Sequence, residues 1–304
     1  MTTNNDNNKE NATIPQEAFD WYDEYAHGII DRRTFMKRLA GLAVVGMSTN
    51  ILASALLPNY AQAEQVSFND KDITASYETF ESPLGLGSVQ GYFVKPANLS
   101  GTAPAVLVVH ENRGLNPYIK DVARRVAKAG FIAFAPDILH TLGGYPGNDD
   151  EGRTMQRTLD RAKVEQDFIA SAKYLKNHQL SNGKLGGVGF CFGGYIINML
   201  AARAPDVINA GVPFYGTPAA KELRKNITAP LMIQLAELDK RVNATWDEYE
   251  QDLKANNVDY VMHMYKNANH GFHNDSTSRY LQKSADLAWE RTITFFNKHL
   301  STAQ

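Results

Sequence analysis

The chain has 304 residues, 31 Lys and Arg against 33 Asp and Glu, a net charge of −2, and 43% hydrophobic with 21% charged residues. That composition suits a globular protein with material for one sizeable core, and 10% aromatics with only 12 Pro argue against wholesale disorder. The balanced charge gives no basic footprint for nucleic acid, and the single cysteine excludes both an intramolecular disulfide framework and a cluster of cysteine metal ligands.

Residues 1–13 are polar and Asn-rich and are expected to be disordered. Phe19, Trp21, Tyr22 and Tyr25 mark an amphipathic turn or two. Arg32-Arg33 then stands in Asp31–Arg38, ahead of the apolar stretch LAGLAVVGMSTNILASALL and Ala61-Gln62-Ala63. A paired arginine, a moderately apolar stretch and a small-x-small ending read as a secretory signal. The segment resembles the twin-arginine pattern Arg-Arg-x-Phe-Leu-Lys, with Met36 where leucine is usual. Gly41, Gly46, Ser48, Thr49, Asn50 and Ser54 weaken the stretch as a transmembrane helix. An uncleaved membrane anchor and a cytoplasmic amphipathic helix remain as alternatives. The expected organisation is a disordered n-region and twin-arginine-type signal over 1–63, followed by one domain over 64–304. Export by the twin-arginine machinery and cleavage near Ala63 would leave the protein periplasmic, or membrane-anchored if uncleaved. The remaining domain holds 26 basic and 26 acidic residues.

Ile73–Phe80 and Ser88–Lys95 alternate polar with apolar residues about Ser82-Pro83-Leu84-Gly85, which predicts an antiparallel hairpin. Ala103–Val109 is a continuous apolar run, as in a parallel strand buried on both faces. Tyr118–Ala129 has helical spacing closed by Gly130, and Phe131–Ala135 is the next buried strand. One long helical region is expected over 150–176. Leu185–Phe190 predicts a strand and Gly193–Arg203 a helix stopped before Pro205. Ala210–Phe214, Pro230–Leu235 and Tyr260–Tyr265 are further strands, and Thr245–Ala255 and Ser278–His299 further helices. A hairpin followed by repeated β-α units implies an α/β protein with a mostly parallel sheet and helices on both faces. Chemistry in such sheets collects at the carboxyl ends of the strands.

Three motifs stand there. Gly189-Phe190-Cys191-Phe192-Gly193 is G-x-nucleophile-x-G with cysteine in the serine position. The glycines allow a sharp strand-to-helix turn where a Cβ would clash. The nucleophile would be strained, exposed, and placed at a helix N-terminus that favours a thiolate. A small buried hydrophobic cysteine is the bland alternative. Gly187-x-Gly189 is also Rossmann-like, but its spacing to Gly193 is one residue too long. Glu237-Leu238-Asp239 follows one later strand, and Asn269-His270-Gly271-Phe272 follows the next. Nucleophile, acid and histidine occur in the order of an α/β-hydrolase triad, with one strand-helix unit between members. In that chemistry His270 manages the proton of Cys191, and Asp239 fixes the imidazole's tautomer.

Together with His110-Glu111-Asn112-Arg113-Gly114 and Ala135-Pro136-Asp137, these motifs resemble the dienelactone hydrolase family over most of 73–300. The resemblance implies the α/β-hydrolase fold and a thiol esterase that opens lactones or cleaves activated esters. By the same match Glu111 would be the glutamate that contacts the resting thiol, and the backbone N–H groups of Asn112 and Phe192 would form the oxyanion hole. A capping or turn role is the plain alternative for Glu111. Family members acting on anionic dienelactones hold the substrate carboxylate with two arginines. The matching positions here are Thr141 and Asn274, which predicts a preference for neutral substrates, with Arg113, Arg279 or His273 as substitutes. No cofactor is expected, and His270-x-x-His273 is too short for a metal pair on one helix face. The expected partner is a small ester or lactone. An acyltransferase or peptidase with the same triad, and a silent binding protein of the same fold, are the alternatives.

Overall fold

The computed structural model describes residues 14–42, 49–60 and 63–301. The expected disorder of 1–13, the middle of the apolar stretch (43–48) and Ala61-Gln62 of the cleavage motif lie outside those residues. The chain divides into two compact units, residues 1–58 with 277–279 and the remainder.

The first unit is helical, with α1 (Gln16–His27), α2 (Arg32–Leu42) and α3 (Thr49–Leu56). Gly28, at φ 74°, ends α1 in the left-handed region that a glycine adopts without penalty. Asp31 caps α2 by accepting from the Thr34 N–H at 2.7 Å. Tyr22, Tyr25, Phe35 and Leu39 form a small core, with Tyr25 and Phe35 stacked 5.0 Å apart. Arg279, a suggested substrate cation, lies in this unit with its guanidinium 4.7 Å from the Tyr22 ring. Among the described residues no helix is long and apolar enough to cross a membrane.

The second unit is an eight-stranded sheet. Its strands are β1 (Ile73–Ser82), β2 (Gly87–Pro96), β3 (Ala103–Val109), β4 (Ile132–Asp137), β5 (Ser181–Phe190), β6 (Ala210–Phe214), β7 (Leu231–Ala236) and β8 (Tyr260–Tyr265), in spatial order 1-2-4-3-5-6-7-8. β1 and β2 pair antiparallel, as does β2 with β4; every other pairing is parallel. The helices are α4 (Pro117–Lys128), α5 (Asp149–Thr158), α6 (Arg161–Lys176), α7 (Phe192–Arg203), α8 (Lys240–Asn243), α9 (Trp246–Ala255) and α10 (Gln282–Leu300).

β3 shows why the sheet is covered on both faces. Val106 and Val108 join a core with Ile119 and Val122 of α4 and Phe296 of α10. Leu107 and Val109 join the opposite core with Phe168 of α6, Ile197 of α7 and Leu253 of α9. Alternate side chains of one apolar run thus serve two helical layers. The α/β-hydrolase architecture anticipated from the sequence is present, including the leading hairpin. The single helix expected over 150–176 is two, because Leu159 adopts an extended conformation and the Asp160 carboxylate accepts from Ala162 N–H and Lys163 N–H to start α6.

Candidate active site

β5 carries the chain to Cys191, which turns directly into α7. The cysteine has φ 57° and ψ −111°, a conformation that L-residues rarely adopt. Neighbouring backbone makes the turn this tight. A Cβ on Gly189 would lie 2.2 Å from the Gly193 oxygen, and one on Gly193 would lie 2.2 Å from the Val109 oxygen. Both glycines of the motif are therefore required by close approach. The Cys191 N–H donates to Phe214 O at 3.0 Å, which ties the turn to β6. Cys191 is 8% exposed, so the exposed cysteine expected at the elbow is instead largely covered.

β7 and β8 bring the other two motifs to the same end of the sheet. Asp239 follows β7, is buried, and starts α8 by accepting from the Val242 N–H at 3.1 Å. Its other oxygen lies 2.6 Å from His270 Nδ1. With Asp239 as acceptor, Nδ1 carries the proton and Nε2 is left as the basic nitrogen. A ring nitrogen of His270 and the Cys191 sulfur lie within 4.8 Å of each other. Tyr215, just past β6 at φ 37°, packs its ring 4.9 Å from that of His270. Sequence reasoning passed over Tyr215, although it ends an apolar run as the other site residues do.

The segment after β3 forms the facing wall. Glu111 is buried and accepts from Asn274 Nδ2 at 3.1 Å. The Asn274 amide is oriented by Ser276, whose N–H and hydroxyl donate to Asn274 Oδ1 at 3.1 and 2.6 Å. Asn274, at a position matched to a substrate-binding arginine, thus holds the glutamate instead. Thr141 lies in an exposed 3-10 turn, His140–Leu142. Arg113, the suggested substitute cation, is buried and ion-paired with Asp149 at 2.5 Å, so its charge already has an anionic partner. Asp149 also accepts from the hydroxyls of Tyr60 and Tyr145 at 2.7 and 2.8 Å. Burial pushes the Asp149 carboxyl up, but Arg113 and these hydroxyls outweigh it and hold it below the usual carboxylate range. Asn112 follows Glu111 in this wall, and Phe192 opens α7, whose first N–H groups point toward the strand ends. His273 is buried, with Nδ1 2.7 Å from the Tyr118 hydroxyl.

The arrangement offers a thiol at a helix N-terminus, a histidine within reach of it, and a carboxylate fixing that histidine. Such groups can carry out acyl transfer.

Comparison with known proteins points to a hydrolase. The profile of the dienelactone hydrolase family matches residues 89–300, and a second profile, described as YqhI-like, matches 6–44. The "Putative hydrolase fragment YghX" of Escherichia coli (strain K12) is 63% identical over 38% of this chain and 97% of its own length. A "Putative carboxymethylenebutenolidase" of Aquifex aeolicus is 35% identical over 70% of this chain and 94% of its own. The crystal structure titled "Putative Dienelactone Hydrolase" from Klebsiella pneumoniae subsp. pneumoniae superposes with a TM-score of 0.65 at 26% identity, covering 75% of this chain and 99% of that one. The chain belongs to the dienelactone hydrolase family and is a hydrolase of that family's carboxylic ester and lactone type.

Proposed function

We propose that the protein hydrolyses a carboxylic ester or lactone through a Cys191–His270–Asp239 triad. The observation that carries this reading is the strained Cys191, joined in one site to a histidine whose Nδ1 lies 2.6 Å from a buried carboxylate. His270 takes the Cys191 proton, the thiolate sulfur attacks the carbonyl carbon, and the carbonyl π pair moves to its oxygen. The backbone N–H groups of Asn112 and Phe192 receive that oxyanion. As the C–O bond breaks, the protonated His270 gives its proton to the leaving alkoxide, and an acyl-thiol remains on Cys191. His270 then takes a proton from water as the hydroxide attacks the acyl carbon, which frees the acid and restores the thiol. Asp239 keeps the imidazole in its working tautomer and steadies its cationic form. Glu111, held by Asn274, would assist in deprotonating the thiol as substrate binds.

The test is steady-state hydrolysis of p-nitrophenyl acetate. Cys191→Ala should abolish turnover, and Cys191→Ser should lose most of it, because a hydroxyl needs stronger base assistance than a thiol. Appreciable turnover by Cys191→Ala would overturn the mechanism.

We also propose export, supported by Arg32 and Arg33, both exposed on the first turn of α2. Arg32→Lys with Arg33→Lys should retain the precursor in the cytoplasm; a wild-type protein that fractionates there already contradicts this.

A further inference from the structure

Beside the residues assigned to the oxyanion hole lies a cavity of about 270 Å³. Asn112 and Phe192 line one part of it, and Arg153, Gln156, Arg157 and Arg161 another, with two aliphatic side chains completing the lining. Arg153 and Arg157 are four residues apart on α5 and so share a face of that helix. The break at Leu159-Asp160 brings Arg161, the first residue of α6, to the same cavity. The Gln156 amide oxygen accepts from the Gly114 N–H at 3.2 Å and ties this wall to the segment bearing Asn112.

Arg153 pairs with Asp150 at 3.1 Å, and Arg161 stands 3.5 Å from Glu165 and 4.5 Å from the Tyr195 ring centroid. Neither carboxylate lines the cavity; among the described residues its lining holds three guanidinium groups and no acid. In a chain of net charge −2 this is a local concentration of positive charge, set against one wall of the site.

The geometry points to an anion subsite formed by Arg153, Arg157 and Arg161, which receives an oxyacid group, carboxylate or phosphoryl, carried by the substrate whose carbonyl Cys191 attacks. The inference rests on the function proposed above and adds the residues that read substrate charge. Guanidinium forks match paired oxygens of an oxyacid, and here they would bind them beside the oxyanion donors. Neutral selectivity was the expectation from Thr141 and Asn274. Arg153, Arg157 and Arg161 would supply cations from a different part of the chain.

The full-length enzyme should hydrolyse p-nitrophenyl hydrogen succinate with a kcat/KM about tenfold or more above that of its neutral methyl ester. In the Arg157→Gln/Arg161→Gln variant, both positions being exposed, that ratio should fall toward one. Competition against the neutral ester separates the two oxyacids: inhibition by succinate identifies a carboxylate subsite, and stronger inhibition by inorganic phosphate a phosphoryl one. Alkylation gives a second measurement that needs no turnover, since Cys191 is the chain's sole cysteine. Its rate with iodoacetate relative to iodoacetamide should exceed the ratio for free cysteine, and the double variant should remove the excess. A wild type indifferent to charge in both assays, or ratios unmoved by the double variant, would overturn the subsite. A thiol inert to both reagents would overturn the nucleophile function and the subsite with it.

Discussion

Arg113 and Asp149 form a buried ion pair behind the wall that carries Glu111 and Asn112. Removing one partner of such a pair leaves the other charge buried and uncompensated, which costs about 3–5 kcal/mol. Asp149→Asn should therefore lower the unfolding free energy by that much, read as a lower urea midpoint, and should reduce kcat as the wall loosens around Asn112. An unchanged midpoint would mean that Arg113 is neutralised by other groups. At this scale Cys191, Asp239 and His270 were legible because each stands just past an apolar run, where parallel sheets gather their chemistry. The partner of Glu111 was not. Asn274 and Glu111 are 163 residues apart, and their hydrogen bond exists only once the segments after β3 and β8 have met. The commitment of Arg113 was hidden for the same reason, since Asp149 lies 36 residues further on.

Among the elements, the β5–α7 turn is the most constrained. Gly193→Ala would put a methyl 2.2 Å from the Val109 oxygen, a backbone atom that cannot swing aside. Overpacking of this kind costs about 1–3 kcal/mol or more. Gly193→Ala should accordingly lose stability, and its activity should fall further than its folded fraction because Cys191 is re-aimed. Urea unfolding and active-site titration together check this; wild-type stability with wild-type turnover would show that the turn has slack. Element types were readable from periodicity over most of the second unit, with the antiparallel hairpin and the β-α alternation both found where expected. The α5–α6 break was not read, because Leu159 continues the apolar pattern and the capping role of Asp160 competes with a helix-interior role that the pattern equally allows. The break is what brings Arg161 to one cavity with Arg153 and Arg157. The N-terminal helices were likewise underread, since a string of aromatics in a polar context gives little sign of a core until Phe35 and Leu39 join it.

The whole molecule should be sensitive to mild acid. Burial holds His110 and His273 below the ordinary imidazole range, and the Arg125 cation adds to the effect at His273. His263 and His299 are shifted the same way by partial burial, assisted by Arg291 and Lys298 respectively. As pH falls through about 6.5 the unfolded chain binds protons on these rings before the folded protein does, so stability is at its full value above that pH and declines below it. Asp167 and Asp275, raised by burial, act in the opposite sense at lower pH. Urea midpoints should thus drop between pH 7.5 and 5.5, and His273→Gln should flatten the dependence; a midpoint that is level or rises over that range contradicts the assignment.

The proposed mechanism turns on acylation of Cys191. Rapid-quench mass spectrometry of the enzyme mixed with p-nitrophenyl acetate tests it directly, with His270→Ala included to slow release of the acyl group. An acetyl adduct should appear only on the peptide containing Cys191 and should be absent from Cys191→Ala. Ester turnover with no adduct on that peptide, or an adduct on another side chain, would contradict it.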